Sequence, residues 1–251
     1  MIKTFLVDGD KGGVGKTTVA RAITHAYVEH EANGLPESMI YCFDADHTNP
    51  DFCGPGGYEQ DDKISASALV NLDHPKDWLE LLNDLGSVLE SSAEREVRII
   101  ISLPATAKRA FDNGSGEVDL VLQTLNVVPI WVMGRTPDSV IQLQSRLDSM
   151  PSFEHGVAVQ NLFFGDRDKF RLWDTSKTKE ESVGTGRWLE SSIPELSDLI
   201  VTKIGRTPWH AALANSTGER GQKLGMGDLI GLRAFAGRAA AALSVAEMVG
   251  K

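Results

Sequence analysis

Near the amino end the chain reads Gly9-Asp10-Lys11-Gly12-Gly13-Val14-Gly15-Lys16-Thr17-Thr18, two lysines and two hydroxyls set among glycines. In the frame Asp10 to Thr17 it matches the loop G-x-x-x-x-G-K-[ST] everywhere but at its first position, where Asp10 stands for glycine. Glycines let consecutive backbone N–H groups turn inward onto phosphate oxygens, and a following helix adds the positive end of its dipole. Lys16 then reaches the β and γ phosphates, and the Thr17 hydroxyl is a hard oxygen ligand suited to Mg²⁺. Gly12, Gly13, Val14, Gly15, Lys16, Thr17 and Thr18 are therefore expected to cradle a nucleotide. Lys11 is a second cation at the front of the loop, with no evident task within its own chain.

Two carboxylates, Asp44 and Asp46, close the apolar run Met39 to Phe43. At the carboxyl end of a parallel strand such groups lie where open α/β sheets bind ligands. Turn stabilisation is their alternative role, more so for Asp44. Other chemistry has little footing. Cys42, His47 and Cys53 fit none of the usual zinc spacings, and no G-x-S-x-G elbow is present.

These groups need a scaffold. Apolar runs at Ile2 to Val7, Met39 to Asp46, Val97 to Leu103, Val127 to Met133 and Val157 to Phe163 read as strands. Helical spacing separates them: Val19, Ile23, Ala26 and Tyr27 after the glycine loop, Trp78 to Leu89 after Asp73-His74-Pro75, and Pro137 to Met150. A last helix spans about Leu229 to Val249. Such alternation predicts an α/β fold, a mainly parallel twisted sheet with helices on both faces, as a single domain over residues 1–251. The polar segment Gly165 to Gly186 is expected to be a mobile insertion.

Composition bounds the partners. With 25 Lys+Arg against 35 Asp+Glu the net charge is −10, which disfavours general adhesion to nucleic acid or anionic lipid. Residues 201–251 are the exception, with seven Lys or Arg against three Asp or Glu. Two cysteines are too few for a disulfide framework, and no uninterrupted apolar stretch nears the ~20 residues of a membrane span. The expectation is a cytoplasmic protein without a membrane role.

The run Lys11-Gly12-Gly13-Val14-Gly15-Lys16-Thr17 resembles the deviant Walker A motif K-G-G-x-G-K-[ST] of the ParA/MinD superfamily, SIMIBI-class P-loop ATPases. Asp44-x-Asp46-x-x-Asn49-x-x-Phe52-x-Gly54 is similar to TraL-type proteins of conjugative plasmids. The resemblance implies ATP and Mg²⁺ as ligands. It further implies a nucleotide-dependent homodimer in which Lys11 reaches the partner's phosphates, much as an arginine finger does. Asp46 would orient the attacking water, Asp44 would lie near the metal, and Asn161 would contact adenine, with turn formation as its alternative. Arg206 to Trp209 are placed by position alone beside the base.

The departure is Ser102-Leu103-Pro104, where the family's Asp-x-Pro holds Mg²⁺ through water. A serine hydroxyl keeps a hydrogen bond but loses its ionic component, so weak metal retention and slow hydrolysis are expected. The implied function is a dimerisation switch in plasmid partition, conjugation-linked maintenance or cargo positioning. A protein activator or cargo adaptor would be its partner, and DNA would be reached only through the basic tail. A nucleotide-dependent binding module with little hydrolysis, and a small-molecule kinase or ATP-dependent ligase on the same fold, are the alternatives.

Overall fold

The computed structural model describes residues 1–249 apart from 92 and 106, without the side chains at 91, 108–110 and 112–115. Its strands are β1 (Ile2–Gly9), β2 (Met39–Asp44), β3 (Ala66–Leu69), β4 (Val97–Ser102), β5 (Val127–Met133), β6 (Gly156–Asn161) and β7 (Trp188–Ile193). They form one sheet in the order β3-β2-β4-β1-β5-β6-β7, every neighbouring pair parallel. Parallel strands need crossover connections, and helices supply most of them.

Alternate residues of each strand point to opposite faces, so the sheet feeds two cores. On one face Phe5, Val7, Ile100, Val132 and Val159 pack against Val19 and Ile23 of α1 (Lys16–Val28). On the other, Leu6, Ile99, Ile101 and Trp131 meet three helices: α2 (Pro75–Asp84) through Trp78, α3 (Lys108–Thr124) through Phe111, and α4 (Pro137–Ser149) through Leu143. Each fully buried Phe, Leu or Ile stabilises the fold by about 1.5–3 kcal/mol. Ordering is reinforced at polar points: Trp131 donates from Nε1 to the Ser139 carbonyl at 2.9 Å, tying α4 to the central strands.

After β7 come α5 (Asp198–Ile204), α6 (Trp209–Asn215) and α7 (Met226–Leu243). Helix α7 lies in the first core beside α1 and β7, burying Leu232, Phe235, Ala239 and Leu243. The helical stretch Met226–Met248 is, by length and composition only, long and apolar enough to cross a membrane. Its buried stripe already covers the sheet.

Two expectations are corrected and two strands are added. Residues 165–186 are no loose insertion: they fold into short helices at Arg171–Asp174 and Lys177–Ser182, with Phe170 and Trp173 buried in the second core. The stretch Trp78 to Leu89 is broken after Asp84, and a separate helix begins at Gly86. Strands β3 and β7 carried no readable signal, since β3 is a four-residue edge strand and β7 (WLESSI) is rich in polar residues. Glu190 within β7 is satisfied by Trp173 Nε1 at 2.7 Å and Lys179 Nζ at 2.8 Å, which permits a carboxylate in a packed strand.

Candidate nucleotide site

The loops after β1, β2, β4, β6 and β7 meet at the carboxyl ends of the strands. Between β1 and α1 the glycine-rich loop takes the backbone turns its sequence requires. Gly13 and Gly15 have φ of 76° and 104°, in the left-handed region where glycine is favoured. Gly9 admits no side chain, because a Cβ there would lie 2.7 Å from the Val132 carbonyl oxygen. Val14 is fully buried, and its carbonyl accepts a hydrogen bond from Asn161 Nδ2 at 2.9 Å. The loop is thus gripped from behind by β5 and β6.

Lys16 starts α1 and is only 8% exposed. Its ammonium donates to the Lys11 carbonyl at 3.0 Å, folding back over the loop as a cation would over a bound phosphate. Burial pulls its pKa below the usual lysine range, although Asp8, Asp46 and Asp10 oppose the shift. Lys11 is exposed at the rim.

A cleft of about 370 Å³ is lined by Gly12, Gly13, Gly15, Lys16, Thr17 and Thr18 on one side. Asp46, Asn49, Asp51, Ser102 and Leu103 line the other. Sequence reasoning placed eight of these together and missed Asn49, Asp51 and Leu103. Asp46 Oδ1 accepts from the amides of Thr48 and Asn49 at 3.1 and 3.0 Å, fixing the turn that carries the group into the cleft. Ser102, at the end of β4, is buried and paired in register with both Val7 and Asp44.

Asp44 has a different position from the one expected beside a metal. It is 1% exposed, does not line the cleft, and spends both oxygens on main-chain amides: Oδ1 on Asp46, Oδ2 on Phe52 and Cys53. Burial raises its pKa and those three hydrogen bonds oppose the rise. Its role here is to shape the loop. The spacing Asp44 to Gly54 is thereby explained: Phe52 is fully buried, and Gly54 has no room for a Cβ, which would sit 2.4 Å from the Pro50 carbonyl oxygen.

Beside the glycine loop lies a second cavity of about 270 Å³, mostly apolar, bordered by Gly15, Asn161, Phe163, Pro194, Val201 and Trp209. It shares Gly13, Gly15 and Thr18 with the cleft. Asn161 borders it with its polar atoms engaged, since Oδ1 accepts from Phe163 N at 3.1 Å while Nδ2 holds Val14. Arg206, expected beside the base, does not border it. Its Nε donates to Asp51 Oδ1 at 2.8 Å, drawing the side chain toward the phosphate cleft. Trp209 was inside the stretch expected there. Phe163 and Pro194 carried no sequence signal, because only the fold brings the ends of β6 and β7 together.

Of the basic tail, Lys203 is paired with Asp228 at 2.6 Å and Arg206 with Asp51, while Arg220, Lys223, Arg233 and Arg238 are exposed. Cys42 and Cys53 are free and buried, and no group of metal-binding His, Cys, Asp and Glu occurs among the described residues. A Mg²⁺ ion, which retains waters and draws ligands from phosphate, needs fewer protein groups than such a cluster. The oxygen donors of Thr17, Ser102, Asp46 and Asp51 around one cleft fit that chemistry.

No family model matches the chain. Protein MobD of Acidithiobacillus ferrooxidans is 28% identical over 204 residues, covering 79% of this chain and 82% of MobD. Among solved structures, a nucleotide-binding protein from Archaeoglobus fulgidus in complex with ADP, with Co, aligns over 82% of this chain and 87% of its own, at TM-score 0.42 and 18% identity. Chloroplast FtsY from Physcomitrella patens aligns over 76% of this chain and 58% of its own, at TM-score 0.44 and 10% identity.

Proposed function

We propose that this chain is a Mg²⁺-dependent ATP-binding switch of the ParA/MinD type, in which ATP joins two subunits face to face and slow hydrolysis releases them. The observation that carries the reading is Lys16, a buried ammonium folded onto its own glycine loop within a cleft of oxygen donors. Bound triphosphate would be held by the loop amides, the amino end of α1 and Lys16, with its base in the apolar cavity. Magnesium, when bound, would neutralise phosphate charge and orient the reacting oxygens. Thr17 would hold it directly, and Ser102 through water.

Within this reading Asp46 accepts a hydrogen bond from the attacking water and aligns it, while Lys11, exposed at the rim, serves the partner's nucleotide. The adenine preference assigned to Asn161 requires it to release or share its present partners. The role that goes with this reading is plasmid partition, conjugation-linked maintenance or cargo positioning, with a protein activator as the partner, and the motif resemblance of Lys11 to Thr17 supports it. DNA contact would fall to the exposed cations Arg220, Lys223, Arg233 and Arg238.

Light scattering with ADP, ATP and a slowly hydrolysed analogue tests the switch. The mass should double only with ATP or its analogue, and Lys11→Ala should remain monomeric. Doubling that persists unchanged in Lys11→Ala would remove the role in trans. Ser102 favours the second reading, a binding module with little turnover, which a single-turnover ATP assay separates from the first.

A further inference from the structure

The cleft has a serine at position 102, where the family it resembles has an aspartate, and it also has a carboxylate that no motif marks. Asp51 lines the same wall as Ser102, Asp46 and Asn49, opposite Thr17. Its side chain is half exposed, and its described side-chain partner is Arg206, reached at 2.8 Å. Both members of this ion pair are accessible to water, so it costs little to break.

The anchoring of the loop is uneven in a way that suits movement at this point. Residues past Asp51 are fixed: Phe52, Cys53 and Tyr58 are buried, and Asp44 holds the amides of Phe52 and Cys53. Residues 47–49 are exposed. Asp51 therefore sits at the last accessible position before the buried anchor, paired with Arg206 while lining the cleft.

We infer that Asp51 supplies, through a metal-bound water, the negative charge that Ser102 does not provide to the nucleotide's divalent cation, and that Arg206 restrains it until the cation arrives. This rests on the nucleotide-binding reading above. The electrostatic sense is consistent: a carboxylate facing bare phosphates is repelled and pairs with Arg206, whereas a divalent cation on those phosphates reverses the preference. Arg206 is then a gate on metal retention rather than a contact to the base.

The test is the ratio of ATP affinity in Mg²⁺ to that in EDTA, measured by calorimetry on the full chain. Asp51→Asn should lower the ratio about 10- to 100-fold, the usual cost of removing an outer-shell partner of a metal. Arg206→Ala should raise it about 2- to 5-fold, as loss of one exposed competing pair allows. Adding Ser102→Asp to Asp51→Asn should restore it. Paramagnetic resonance of Mn²⁺ in place of Mg²⁺ gives a second readout, with free Mn²⁺ rising in Asp51→Asn. An unchanged ratio in Asp51→Asn, or a lowered one in Arg206→Ala, overturns the inference while leaving nucleotide binding intact. Failure of the wild-type chain to bind ATP under either condition overturns both.

Discussion

The two walls of the cleft between the glycine loop and Asp46 are built by opposite means. The glycine loop is held from behind by buried groups, Val14 in the core and Asn161 on its carbonyl, and Lys16 begins the helix that continues it. The acidic wall stands on a turn around Asp46 and, at Asp51, on an ion pair open to water. Buried hydrogen bonds are costly to break, while exposed ion pairs contribute about 0–1 kcal/mol. On the proposed reading, one wall is preformed for a polyphosphate and the other rearranges when charge enters. Grip and response are divided between the walls.

Mutations should respect that division. Lys16→Ala should weaken ATP about 100-fold, roughly 3 kcal/mol, since a charge-assisted contact to phosphate is lost. Equilibrium dialysis at constant Mg²⁺ reads this, and a loss below threefold would mean the lysine does not meet the phosphates. Gly15→Ala attacks the same wall through the backbone. Its Cβ would lie 2.3 Å from Asn161 Nδ2 at a φ of 104°, so a stability loss of about 2–3 kcal/mol is expected in urea unfolding.

A third effect lies behind the preformed wall, on α1. His25, packed against Trp209, has its pKa lowered from 6.5 to about 4, chiefly by burial and further by His210. The unfolded chain takes up a proton that the folded one refuses across this interval. Stability is therefore fully present above about pH 6.5 and is lost as the pH falls toward 4, by about 2 kcal/mol between pH 7 and pH 5. In thermal melts across that range His25→Phe should flatten the slope, and a wild-type slope retained by the variant would assign the effect elsewhere. Smaller again, Asn161→Ala should cost about 1–2 kcal/mol by orphaning the Val14 carbonyl and the Phe163 amide. Arg206→Ala, on the responsive wall, should change stability by less than about 1 kcal/mol. A larger loss would show that this wall too is rigid.

What the sequence made legible follows the same line. Glycine spacing states a backbone requirement, so the loop from Gly12 to Thr18 could be read directly, and strand runs such as Val127–Met133 mark a sheet buried on both faces. Side chains whose meaning depends on distant partners could not be read this way. Asp44 and Asp46 look alike in sequence, yet one is consumed by loop amides and the other faces the cleft. Arg206 and Asp51 lie 155 residues apart, and no local pattern announces their pairing. Likewise the apolar cavity exists only because β6 and β7 end side by side, joining Phe163 to Pro194.

The most direct test of the whole account is calorimetric titration of ATP in Mg²⁺ into the wild-type chain, Lys11→Ala and Lys16→Ala. We expect one ATP per chain in the wild type and in Lys11→Ala, with binding all but lost in Lys16→Ala. A folded wild-type chain that takes up no ATP, or a Lys16→Ala variant that binds it as tightly, would contradict the claim that this loop grips a triphosphate.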